Sequence, residues 1–129
     1  MHVEIIRVEP TADGTVEVDV RADVGDFRAT WSGAPPPVGA ARDVELTIDH
    51  RFTWGEDAVP VQAQAHAIAP GEDGGVVILA TIEQLDDGGF VGLRIGRSAV
   101  MSAADGEPPP VGTTVRLVAP PLTLYDTNI

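Results

Sequence analysis

Three histidines, twenty carboxylates and two tryptophans are the residues of this 129-residue chain best placed to do chemistry, and their spacing decides what they could do. Histidine titrates near neutral pH and ligates metals, so a paired spacing would be the strongest sign of catalysis or metal binding. His2, His50 and His66 stand far apart, with neither an H-x-H nor an HExxH pattern. His2 is terminal. His50 falls between Ile48 and Phe52 on an alternating apolar face, which marks it as a hydrogen-bonded core or rim residue. His66 lies on the polar side of an Ala-rich run. No serine occupies a G-x-S-x-G elbow, since Ser98 follows Gly96 and Arg97. No G-x-G-x-x-G or Walker pattern occurs. The chain has no Cys, so thiolate catalysis, disulfides and thiolate metal sites are excluded. The sequence therefore assigns no catalytic residue, no cofactor and no metal.

The carboxylates offer one candidate cluster. In an alternating strand Asp43, Glu45 and Asp49 share a face, with successive members ~7 Å apart per two residues. A hard cation wants roughly six to eight converging oxygens, whereas side chains on a strand face diverge, so a solvated face is the plainer reading. Glu56 and Asp57 follow Trp54, and Asp86 and Asp87 open a turn. Trp31 and Trp54 both stand close to loops. They either plug the ends of a barrel or, with His50, form a binding rim or close an internal pocket.

Formal net charge is −12, from 20 acidic residues against 8 basic ones. Such a field repels nucleic-acid phosphates and anionic membranes, so neither is expected as a partner. It serves solubility, and it would steer a basic protein into contact. No stretch approaches a membrane span and no signal-peptide pattern opens the chain, so a cytoplasmic location is expected.

Period-2 alternation runs through most of the sequence. Val16, Val18 and Val20 alternate with Glu17, Asp19 and Arg21, and the turn Asp13-Gly14 joins them to a hairpin partner over residues 3–8. Residues 43–54 form the longest alternation, with Val44, Leu46, Ile48, His50, Phe52 and Trp54 inward. Val61, Ala63, Ala65 and Ala67 alternate with Gln62, Gln64 and His66, a further strand. Residues 75–85 carry an apolar run suited to a central strand. Asp86-Asp87-Gly88-Gly89 turns into a partner with Val91, Leu93 and Ile95 inward. Gly96 is read as a bulge before residues 98–101 continue that strand. Pro120-Pro121 interrupts the tail, which implies an edge position or a crossover to another sheet, and Leu122 and Leu124 resume the alternation.

The string Pro-Pro-Pro-Val-Gly occurs twice, at 35–39 and 108–112, each time before a strand. The residues after the two copies align poorly, which argues for two stiff loops rather than a duplicated half-domain. No helical period extends over ten or more residues. The expected fold is all-β: a single domain over 1–129, a β-sandwich or small closed β-barrel of about seven to nine short strands without substantial helix. The oligonucleotide-binding type of barrel is one candidate, although it usually carries a helix that has no place here.

Three functional readings are compatible with this. The first is a non-enzymatic interaction domain, such as an acidic inhibitor or immunity-type protein for a basic partner. The second is a small-ligand-binding or enzymatic barrel with a pocket near Trp31, His50 and Trp54. The third is a self-assembling homo-oligomer. The residues they share as candidates are Trp31, Asp43, Glu45, Asp49, His50, Trp54, Glu56, Asp57, Asp86 and Asp87.

Overall fold

A computed structural model describes residues 1–127; Asn128 and Ile129 of the expected domain lie outside the described residues. The protein is all-β, with twelve strands and a single 3-10 turn at Glu72–Gly74 among the described residues. Among the described residues no helix is long and apolar enough to cross a membrane.

Five strands close a barrel: β1 (His2–Pro10), β2 (Val16–Ala22), β3 (Gly25–Ser32), β4 (Ala41–Thr47) and the last strand of the chain, β12 (Leu122–Asp126). Their order is β1-β2-β3-β12-β4, and β4 returns to β1. The other strands form a nearly closed sheet, in the order β5 (Arg51–Thr53), β10 (Ser98–Asp105), β9 (Phe90–Ile95), β8 (Val76–Leu85), β11 (Thr114–Ala119) and β6 (Ala58–Pro60). The short β7 (Ala67–Pro70) pairs with the first half of β8. Inward residues are apolar on both barrels except Ser102, and one buried cluster includes Ile5, Val18 and Leu124 of the first and Phe52, Ile82 and Leu117 of the second.

The two barrels repeat one plan. In the first, β1 pairs with β2 through a register shift just after Ile5; in the second, β8 pairs with β9 through a register shift just after Ile82. β3 follows β2 and β10 follows β9 through tight turns. Each Pro-Pro-Pro-Val-Gly string then carries the chain over the barrel with the same hydrogen bonds. Gly39 N–H donates to Ile5 O (2.7 Å) and Ala40 N–H to Pro37 O (3.2 Å). Gly112 N–H donates to Ile82 O (2.8 Å) and Thr113 N–H to Pro110 O (3.1 Å). Gly39 and Gly112 both have positive φ, of 86° and 94°, a conformation that disfavours any side chain. The expectation that the two strings are unrelated loops is therefore overturned: they are equivalent parts of an internal repeat. The strand order is that of an oligonucleotide-binding-type barrel, with the proline turn in place of a helix.

The fifth strand of each barrel comes from the other half. After β4 the chain leaves the first barrel, and β5 runs parallel to β10 in the second. After β11 it leaves the second barrel, and β12 runs parallel to β3 and antiparallel to β4 in the first. Pro120 and Pro121 sit at this second crossing, as their missing N–H donors favour. The expected long strand over 43–54 keeps its alternation, with Val44, Leu46, Ile48 and Phe52 buried and His50 and Trp54 half-buried. It is broken at residues 48–50 because it changes barrel there. That split, the short β6 and β7 in place of one expected strand, and a turn between β9 and β10 bring the strands to twelve.

Two further expectations need correction. Residues 61–66 are not a strand. β6 lies beside β11 and β7 beside β8, on opposite sides of the β8/β11 pair, so the connecting residues must cross over. Their alanines bury too little apolar surface to resist. Gly96 is not a bulge; with φ of 61° it forms, with Arg97, the turn of the β9–β10 hairpin, in which Ile95 pairs with Ser98. β8 is central in its pairing, but Val77 and Leu79 are only half-buried.

Candidate functional site

The repeat provides a comparison within one chain. Outward residues of β2 and β3 in the first barrel occupy the same register as those of β9 and β10 in the second. Glu17 faces Thr30, Asp19 faces Arg28 and Arg21 faces Asp26 across the first pair. At the matching places Phe90 faces Ala103, Gly92 faces Met101 and Arg94 faces Ala99.

On the first barrel this face is an ion-pair lattice. Arg28 donates to Glu17 (Nη2 to Oε2, 2.7 Å) and to Glu9 (2.6 Å), and its Nη1 lies 3.5 Å from Asp19. The hydrogen bond from Arg28, and then its charge, hold the Glu9 carboxyl below its ordinary range, while Glu9 and Glu17 hold the Arg28 guanidinium protonated. On the second barrel Phe90, Gly92, Met101 and Ala103 stand in the places of Glu17, Asp19, Arg28 and Thr30, while Arg94 keeps the place of Arg21. Phe90 is 49 % and Met101 53 % exposed. Gly92 between them is buried, and an added Cβ there would meet Gln84 Cβ at 3.1 Å and Met101 Sδ at 3.4 Å. A glycine inside a strand often marks a bulge, and Gly92 pairs with Gln84 at the register shift in β8.

Beside this face a cleft of about 330 Å³ opens between residues 48–51 and Phe90, Met101, Ser102 and Ala103. His50 stands in it. Its Nε2 lies 2.7 Å from Asp57 Oδ2, and its ring meets Phe52 edge-on at 4.8 Å. The other Asp57 oxygen accepts the Thr53 N–H at 2.7 Å. Burial opposes ionisation of Asp57, but the hydrogen bonds from His50 and Thr53 outweigh it and lower its pKa. Asp57 belongs to a loop, residues 54–57, that splits the fifth strand of the second barrel into β5 and β6; β12 in the first has no such break. Ser102, the only buried polar residue among those described, points its hydroxyl at the His50 carbonyl (3.5 Å), not at the ring. The His50 ring thus has no nucleophile bonded to it among the described residues, and no group of His, Asp and Glu is arranged to hold a metal.

The remaining candidates divide plainly. Trp31, 4 % exposed, is a core residue of the first barrel, its Nε1 donating to Ala34 O at 2.9 Å. Trp54 lies at the end of β5 in the second. The two cannot close a shared pocket, because the crossing at residues 48–50 puts them in different barrels. Asp43, Glu45, Asp49 and Glu56 are exposed. Asp43 sits 2.9 Å from His2, away from the cleft, while Asp49 lines it. Asp86 Oδ1 caps its turn by accepting the Gly88 and Phe90 N–H groups, so Asp86 and Asp87 border the apolar face.

The chain matches no protein-family model, no curated protein and no solved structure.

Sequence reasoning missed Phe90, Gly92, Met101 and Ala103. A signal was present: placing Val91 and Leu93 inward puts Phe90 and Gly92 outward, and an outward Phe beside a strand glycine is unusual for a solvated face.

Proposed function

We propose that this chain is a non-catalytic binding domain for a basic protein partner, as an inhibitor or immunity-type protein would be. The observation that carries the reading is the second barrel's exposed apolar face, bordered by carboxylates, where the first barrel neutralises itself with ion pairs. A centre of aromatic and methionine side chains within a charged rim is the make-up of protein interfaces. The net charge of −12 would speed the encounter with a cationic surface. A cytoplasmic location goes with this reading.

A ligand barrel is less well supported, because inward positions such as Ile5, Leu124, Phe52 and Ile82 fill both interiors. Self-assembly through the face would bring together two chains of equal negative charge.

Capture from extracts of the source cells by the immobilised full chain tests the proposal. Proteins of high isoelectric point are expected to bind at about 0.01 M salt and to elute by about 1 M, as the screening length shrinks from about 30 Å to about 3 Å. Binders that ignore salt, or none that are basic, would overturn it.

A further inference from the structure

We propose that the outer face of β9 and β10, with the cleft at its β5 border, docks an extended basic segment of a partner protein that also carries apolar side chains. This rests on the binding-domain reading above and names its site and the chemistry of its occupant. Phe90 and Met101 receive the apolar side chains. Gly92 is buried beneath Met101 and Gln84, so the surface offered there is the Met101 side chain itself. Asp49, Asp86 and Asp87 receive the cations.

The rim decides the sign of the partner. Both arginines that border the face are already neutralised. Arg51 Nη1 lies 3.0 Å from Asp105 Oδ1, and Arg94 binds Glu83 through Nε at 2.5 Å and Nη2 at 3.1 Å. Among the described residues no cationic side chain pairs with Asp49 in the cleft wall, with Asp87, or with Asp86, whose Oδ1 accepts only backbone N–H groups of the turn leading into Phe90. The apolar centre sets the second requirement. A purely cationic chain would leave Phe90 and Met101 wet, whereas alternating cationic and apolar residues in an extended chain present one kind to each side. Nucleic acid, anionic lipid and a second copy of this chain all bring negative charge to a negative rim.

The test uses the full ¹⁵N-labelled chain and two synthetic probe peptides of equal charge, one alternating Arg with Leu and one alternating Arg with Ser. The Arg/Leu peptide is expected to bind more tightly and to shift the amide signals of Phe90, Gly92, Met101 and Ala103. Replacing both Phe90→Thr and Met101→Thr should weaken it roughly tenfold, about 1.4 kcal/mol, and leave the Arg/Ser peptide unchanged. Asp49→Asn with Asp87→Asn should weaken both peptides.

Equal binding of the two peptides, or indifference of the Arg/Leu peptide to the double threonine variant, would overturn this docking site while leaving a basic partner possible elsewhere. Failure of both peptides to bind even at low salt would remove the basic-partner reading as well. Light scattering that finds a dimer which the threonine variant dissolves would assign the face to self-association and overturn the proposal.

Discussion

Because each barrel takes its fifth strand from the other half, neither should unfold alone, and the two tryptophans can report this separately. Trp31 lies in the first barrel and Trp54 in the second. The perturbation is Leu124→Ala. Leu124 belongs to β12, a strand of the first barrel, and is fully buried. Deleting its side chain should cost about 3 kcal/mol, the transfer free energy plus the cavity left behind. Unfolding entropy is about 2.1 cal/mol/K per residue, roughly 0.27 kcal/mol/K for 129 residues, so Tm should fall by about 11 °C. The assay is fluorescence-detected melting in two single-tryptophan backgrounds, Trp54→Phe reporting the first barrel and Trp31→Phe the second. Each Leu124→Ala protein is compared with its own parent, since losing the Trp31 bond to Ala34 carries its own cost. Both reporters should shift together, because opening the first barrel frees β12 and, through residues 48–50, pulls on β5. A downward shift of the Trp31 transition that leaves the Trp54 transition in place would show independent barrels and refute the reasoning.

Three further outcomes follow from the geometry. Glu45→Lys with Asp49→Lys should change stability by less than about 0.5 kcal/mol, checked by urea denaturation, because both are exposed; unfolding would mean that the strand register is wrong. Asp57→Ala should destabilise by about 1 kcal/mol near neutral pH, since Thr53 N–H and the His50 ring both lose an acceptor that water can partly replace. Asp57 has a lowered pKa in the fold, so its contribution is present above the unfolded value of about 3.9 and fades as pH falls below it; melts taken down the acid limb should show the wild-type and variant curves converging. Gly25→Ala should be among the most damaging single changes, because φ is 135° and the new Cβ would meet Ile68 O at 2.4 Å; a Tm within a degree or two of the parent would contradict the close approach of β3 and β7.

Much of the fold was legible because strands declare themselves by alternation. Val18 and Val20, Val91 and Leu93, and the turns at Gly14 and Gly89 are where the period and the glycines put them. Of the edge position or crossover expected at Pro120-Pro121, the crossover is present, because two residues without N–H donors cannot continue a ladder. Strand identity, however, says nothing of which barrel a strand joins. Residues 43–54 alternate without a break, yet β4 and β5 belong to different barrels, since inward-facing residues suit either interior equally. The alanines at 61–66 kept the period but lacked the apolar area to enforce it. The partnership of His50 with Asp57 was out of reach, because it depends on a loop returning the chain to the cleft.

The internal repeat was hidden for a related reason. Its backbone demands specific residues only at the turn, where positive φ at Gly39 and Gly112 and rigid prolines leave little choice. Within strands the plan needs only alternation, so Phe27 can match Val100 and Trp31 can match Ala104 without disturbing the fold. Unequal hairpin loops, at 11–15 and 86–89, and the extra loop at 54–57 then upset any constant spacing. The same freedom makes the differences between the halves informative. Inward positions vary but stay apolar apart from Ser102, which takes the place of Ala29. The matched outward face changes in kind, from the carboxylates and arginine around Arg28 to Phe90, Gly92 and Met101. Stability gives no reason for that change, since an exposed Phe and Met contribute little to a fold and leave a patch open to association. The loop that brings Asp57 to His50 interrupts a strand that the first barrel keeps whole, and it lies at the border of that same face. Both departures from the repeat therefore fall on one side of the second barrel, where binding would require them.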